Sequence, residues 1–359
     1  MNKIYTLLPI LGIASVTCAM DNNNNSFDFN KDVIYLDGKR VTQENILSLL
    51  PAAPADAQQA LAQFEAQHPD LLNQAAYFKP ATVGADFKEI KDRIKNENIK
   101  NLSKYSLVTQ ISPNYILKMS LQPHKLFNTS SRIDIGTGWD RCAKGYIEGK
   151  NLGELTGIGT TTHQTTSRAI NALLFVSAVK EFQHSCISTP KTWLLAINPQ
   201  ANHTFASDAT HVVIQEAYDK SKFSHVQEKN SPAETAQNVA QISDKALREY
   251  FEVIIKVGLF DTASNLLVDA AGNLMNDDLE QPNDEPSILE RDGAVYKKYA
   301  DQRGHTKTDW DRYEGVRKLY ELCSCQPRQK AILEECIKNS PVMKMVAPKG
   351  QDLIRGLIK

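Results

Sequence analysis

At 359 residues the chain is longer than one average domain, which points to a two-lobed unit with an appended segment. Its composition, 42% hydrophobic and 23% charged, is that of an ordinary globular protein able to bury a core. A formal net charge of -1 removes the general electrostatic case for nucleic acid, and no basic run argues for a polybasic membrane anchor.

The first residues stand apart from the rest. Lys3 precedes the apolar run Ile4 to Val16, and the small residues Thr17, Cys18 and Ala19 follow, which is the order of a secretory signal peptide cleaved after Ala19. A buried N-terminal helix and acylation at Cys18 are the other readings of residues 1–19. The run is short for a bilayer span, and no other window is long and apolar enough for a transmembrane helix. The chain is therefore expected to be exported, to a periplasm or outward, including into a host cell. Residues 20–31 contain the Asn-rich run DNNNNSFDFN, which has linker composition. Residues 32–101 read as a helical N-terminal region. Thr42 and Glu44 open NILSLL, ADAQQALAQFEAQ spaces its apolar residues at the helical period, and Pro51, Pro54, Pro69 and Pro80 divide the region into short helices.

From Tyr105 the period changes. SLVTQIS and NYILKMS are β-rich runs separated by Pro113-Asn114, a hairpin signal. Lys118 lies on the second run among Ile116, Leu117 and Met119, the place of an edge lysine or of a phosphate clamp. A glycine cluster from Gly136 to Gly159 precedes a helix expected from Thr165 to Phe182. Two strands, WLLAINP and HVVIQEAYD, come next, and the helix ALREYFEVIIKVG stops at Gly258. NLLVDAAGNLMNDDLE then reads as strand, turn, strand and acid. The tail alternates helix and loop to Lys359.

Five cysteines follow the signal segment: Cys142, Cys186, Cys323, Cys325 and Cys336. In an oxidising compartment Cys323 or Cys325 can pair with Cys336 across a helical hairpin, and the odd count leaves one thiol over. The Cys-Ser-Cys spacing is too close for a zinc knuckle.

A strand with Lys118, a helix, two strands ending at Gln215-Glu216-Ala217, a long helix and NLLVDAAGNLMNDDLE form an order that resembles the protein-kinase-like superfamily. The resemblance implies an α+β, bilobed fold, with a small antiparallel sheet lobe over residues 102–216, a helical lobe over 217–359 and an N-terminal helical appendage. It implies ATP and Mg²⁺ as ligands. Lys118 matches the strand lysine that holds the α and β phosphates, Glu181 the helix glutamate that partners it, and Glu216 and Ala217 the hinge that meets adenine. Asn265 and Asp278 match the metal-binding pair, and Asp261 the catalytic-loop acid that orients a substrate hydroxyl. A one-residue slip exchanges Asp277 for Asp278, and the register from Asn265 favours Asp278. Asp278-Leu279-Glu280 departs from Asp-Phe-Gly and looks more like the Asp-x-Glu of small-molecule kinases such as choline kinases and aminoglycoside phosphotransferases.

Two departures bear on activity. GLFDTAS lacks the His-x-Asp signature and sets Asp261 one residue closer to Asn265 than the family spacing, and SLVTQISPN has no glycine to let backbone approach phosphate. The expectation is an exported, degenerate kinase-like protein or pseudokinase with residual nucleotide and magnesium binding. It becomes a phosphotransferase on a small-molecule or other substrate if it is delivered to an ATP-containing host compartment. The alternatives are a non-catalytic exported interaction protein with a protein partner and a methyltransferase, the latter resting on the glycine turn in SRIDIGTGWD, residues 131–140.

Overall fold

Alternation along SLVTQIS and YILKMS builds the central element of the fold, a hairpin of β4 (Ser106–Ser112) and β5 (Tyr115–Ser120) turning at Pro113-Asn114. The structure, a computed structural model, describes residues 26–28, 33–36, 38–40, 46–72, 83–102, 106–120, 163–197, 211–228, 230–259, 263, 265–279 and 307–359. The proposed signal segment 1–19, the glycine cluster, SRIDIGTGWD and Cys142 lie outside the described residues.

The chain folds as a mixed α+β protein. β5 pairs antiparallel with β8 (His211–Glu216), and β8 with β7 (Thr192–Ala196), in the order β4-β5-β8-β7. Successive strand residues face opposite sides, so the sheet has two apolar faces. After the single turn α1 (Ile46–Leu49), α2 (Ala55–Gln67) and α3 (Val83–Asn96) share one core with Leu107, Leu117, Met119, Val212 and Ile214, through Ala57, Leu61, Phe64, Ile90 and Ile94. Leu194 and Val213 face the other way, into a core with α4 (His163–Glu181). The N-terminal helices are thus a layer of the fold that covers the sheet, where an appendage was expected. Tyr115 ties the two together by donating to Asp56 Oδ2 at 2.8 Å.

A second departure lies upstream. β1 (Ser26–Asp28), β2 (Val33–Leu36) and β3 (Lys39–Arg40) form a small antiparallel sheet where a linker and helices were expected. Val33-Ile34-Tyr35-Leu36 is a β-favouring run followed by Asp-Gly, and Gly38 takes a φ of 71°, which a tight hairpin turn requires.

The remaining described helices pack with α4 in one continuous core. α5 (Pro232–Gln241) is capped by Ser231 and α6 (Asp244–Val257) by Ser243, and α6 ends at Gly258 with a φ of 76°. α6 buries Leu247, Tyr250, Phe251, Val253, Ile254 and Ile255 against α4, α7 (Lys307–Cys323) and α8 (Pro327–Asn339), and α9 (Pro348–Arg355) packs on α7 and α8. Cys186, Cys323, Cys325 and Cys336 are free thiols, so the expected pairing across the tail helices is not formed. Burial pushes the Cys323 thiol well up and that of Cys336 up to about 11, which keeps both in the unreactive protonated form. Among the described residues no helix is long and apolar enough to cross a membrane.

A third sheet has the order β6-β11-β10-β9. β9 (Phe223–His225), β10 (Leu266–Asp269) and β11 (Leu274–Asn276) pair antiparallel, and β6 (Ile187–Ser188) joins β11 in parallel. The β10–β11 turn is held by Asp269, whose Oδ1 accepts from the amides of Ala271 and Asn273 at 2.9 and 2.8 Å. Gly272 completes the turn with a φ of 79°, and its carbonyl accepts from Ser243 N at 3.0 Å. A Cβ at this position would stand 2.4 Å from Gln241 O and 2.8 Å from Ser243 N. Gly272→Ala is therefore expected to lower unfolding free energy by at least ~2 kcal/mol, from left-handed strain plus backbone overlap. Urea unfolding monitored by circular dichroism checks this; an unchanged midpoint contradicts the docking of the turn on the α5–α6 junction.

Candidate functional site

Lys118 stands opposite Val213 on β8, and directly paired residues share a sheet face, so its side chain leaves the sheet toward α4 and the β10–β11 hairpin. There its Nζ donates to the Asp277 carbonyl at 3.0 Å and lies 3.5 Å from Asp278 Oδ1. From the other side Arg168, on α4, places Nε 2.9 Å from the same Oδ1. The Lys118 and Arg168 side chains are 8% and 4% exposed, and that of Asp278 is 22% exposed, so the three charges meet largely out of water.

The segment after β11 is gripped along its backbone. The carbonyl of Asp277 accepts from Lys118 and from Gln215 Nε2 at 3.0 Å, that of Asp278 from Asn265 Nδ2 at 3.1 Å, and that of Leu279 from Asn171 Nδ2 at 2.9 Å. Asn265 O also accepts from Asp277 N at 3.1 Å, which closes the base of the hairpin. Asn276 is buried, and it accepts from Asp278 N at 3.1 Å and donates to the Tyr250 hydroxyl at 2.8 Å. These bonds leave the segment little freedom to move independently of the sheet and of α4.

The two aspartates have separate surroundings. Asp278 faces the cations, whereas Asp277 Oδ2 accepts from the Tyr218 hydroxyl at 2.7 Å. The charge site is built around Asp278, the residue that the register from Asn265 favours. Burial pushes its carboxyl up, but Arg168 and Lys118, by charge and by hydrogen bonding, outweigh that and hold the pKa below the ordinary aspartate range. Burial, reinforced by the charge of Asp277, pushes the Tyr218 phenol far up, so it stays a proton donor at any working pH.

The structure thus brings Lys118, Asn265 and Asp278 together and leaves other expected residues elsewhere. Glu181 ends α4, about 20 Å along the helix from Arg168 at 1.5 Å per residue, and pairs with Lys256 at 3.0 Å. At the level of Lys118 the helix presents Arg168, a cation where the resemblance implies an anion. Glu216 and Ala217 end β8 beside the β4–β5 turn, and their amides donate to Lys191 O and Asn114 O, each at 2.8 Å. That turn lies four strand residues from Lys118, about 13 Å at 3.3 Å per residue, so it does not cover the charge site. Asp261 lies outside the described residues.

Arg168, Asn171, Gln215 and Tyr218 are the site residues that sequence reasoning missed. A signal existed for two of them, because Arg168 and Asn171 stand three apart in the otherwise apolar run AINALLFV and its flank, and so share one helix face. Among the described residues no group of three or more His, Cys, Asp or Glu side chains is placed to hold a metal ion.

Comparison with family models, with curated proteins and with solved structures finds no match to this chain.

Asp278→Asn leaves two nearly buried cations without a counter-charge and is expected to cost about 3–5 kcal/mol of stability at neutral pH, measured by chemical denaturation. The pH dependence has a definite sign. Because the folded-state pKa is depressed, Asp278's contribution is complete above the unfolded value of about 3.9 and is lost as pH falls through the folded one. Wild-type stability should therefore fall on acidification more steeply than that of Asp278→Asn. Parallel acid limbs would contradict the pairing.

Proposed function

We propose that this is an exported kinase-like protein that retains a nucleotide-binding cleft and has lost phosphotransfer. One observation carries the reading: an ammonium from an early strand, and an amide and a carboxylate from the two ends of a late hairpin, converge where two sheets and a helix meet. Asn265 and Asp278 are brought together by their own hairpin, whereas Lys118 lies far from both in the chain and has no local reason to meet them. The four-stranded antiparallel sheet with α4 supports a small lobe, and α5 to α9 support a helical one. In this reading Lys118 faces the phosphates and the segment around Glu216 and Ala217 meets the base.

Loss of transfer rests on what the cleft lacks. Glu181 is engaged with Lys256, and the segment before Asn265 lacks the family's His-x-Asp. The β4–β5 turn has no glycine and stands away from the charge site. Export rests on the composition of residues 1–19, and a periplasm without ATP fits a fold kept for binding.

Titrating the full chain with ATP while following its melting temperature tests the proposal. Ligand at about 100-fold above its Kd stabilises by about 2.7 kcal/mol, a rise of several degrees in a chain of this size. ATP should produce that rise, adenosine and inorganic phosphate a smaller one, and Lys118→Ala, checked for folding by circular dichroism, none. Absence of any shift with ATP, ADP or GTP sinks the nucleotide reading and leaves a scaffold for a protein partner.

A further inference from the structure

We infer that the cleft takes its nucleotide without a divalent cation, because Arg168 already holds the charge that a metal ion would bring to Asp278. The inference rests on the nucleotide reading above and narrows it to one ligand form, the metal-free polyphosphate.

Arg168 belongs to the core. It is 4% exposed, it lies on a helix whose neighbouring residues Ala169, Ile170 and Ala172 are buried, and one turn later Asn171 grips the Leu279 carbonyl. α4 therefore holds residues 278 and 279 at two points, and the guanidinium cannot leave Asp278 without disturbing the helix contact. Lys118 approaches the same Oδ1, so two positive charges already share that oxygen. A magnesium ion there would have to displace one of them into a buried, uncompensated position or stand beside both against their repulsion.

The neighbouring oxygens do not form a better set. Magnesium requires near-octahedral oxygen ligands and gives up its water reluctantly. Asp277 Oδ2 is committed to the Tyr218 hydroxyl, and its carbonyl to Lys118 and Gln215. Asn265 turns its amide nitrogen to the Asp278 carbonyl. The residues that the resemblance assigns to a divalent cation thus do not fit one in this arrangement. An anion meets the opposite situation. Lys118 and Arg168 balance the carboxylates of Asp277 and Asp278, so Arg168 removes the repulsion that an uncompensated carboxylate would exert on phosphate.

Three titrations of the full chain, read by calorimetry and by melting temperature, decide the matter: magnesium alone, ATP in EDTA, and ATP in magnesium. The expected results are no response to magnesium alone and ATP affinities that agree within about twofold in the two buffers. Arg168→Gln should acquire a response to magnesium alone and bind ATP at least tenfold more tightly with it, while Arg168→Lys should behave as the wild type. Wild-type ATP affinity tenfold or more higher in magnesium than in EDTA overturns the inference and leaves the nucleotide reading standing. No ATP binding in either buffer overturns both. If Arg168→Gln does not fold, the comparison of the two buffers on the wild-type chain still decides.

Discussion

A carboxylate shared by two cations holds the centre of this molecule. Asp278 receives Lys118 from the sheet and Arg168 from α4, and it is itself carried on the hairpin that α5 and α6 support. Each charge would be costly to bury alone, because the transfer of a single ion from water to protein costs several kcal/mol even after relaxation. Together they are tolerated only when all three elements are in place. The cluster therefore contributes less to net stability than an apolar patch of equal size would, and more to fixing which surfaces meet.

The rest of the architecture serves that meeting. The apolar alternation of β5 and β8 buries Leu117, Met119, Val212 and Ile214 against the N-terminal helices, and this forces Lys118 and Gln215 to the opposite face. On the hairpin side, Asp269 and Gly272 lock the turn against the start of α6, while Asn276 joins the Tyr250 hydroxyl in the middle of that helix. Asn265, Asp277 and Asp278 follow from this support, since residues one or two steps beyond a rigid strand have few places to go. The pairing of Asp278 with two protein cations is the observation on which the proposed preference for an anion over a metal ion rests.

Much of this was legible in the sequence where the signal is local. The β4–β5 and β10–β11 hairpins and α4 follow from periodicity and turn residues, and the helix began at His163 against an expected Thr165. Contacts between elements distant in the chain were not legible. Arg168 meets Asp278 across 110 positions and Gln215 meets Asp277 across 62, and no periodicity encodes either. The strands at Ser26–Asp28 and Val33–Leu36 were hidden because Asn-rich composition outweighed a short β-branched run and its Asp-Gly turn. The covering role of α2 and α3 was recoverable in principle: HVVI on β8 is apolar on both faces, and a strand of that kind needs a layer on each side.

The most direct test of the central claim is the coupling energy between Lys118 and Asp278, from the unfolding free energies of Lys118→Met, Asp278→Asn and the double variant. A pair that shares a largely buried contact should couple by about 1–3 kcal/mol, with the double variant less destabilised than the sum of the two. Additivity within about 0.5 kcal/mol would mean that the two side chains do not meet, and the proposed site would lose its basis.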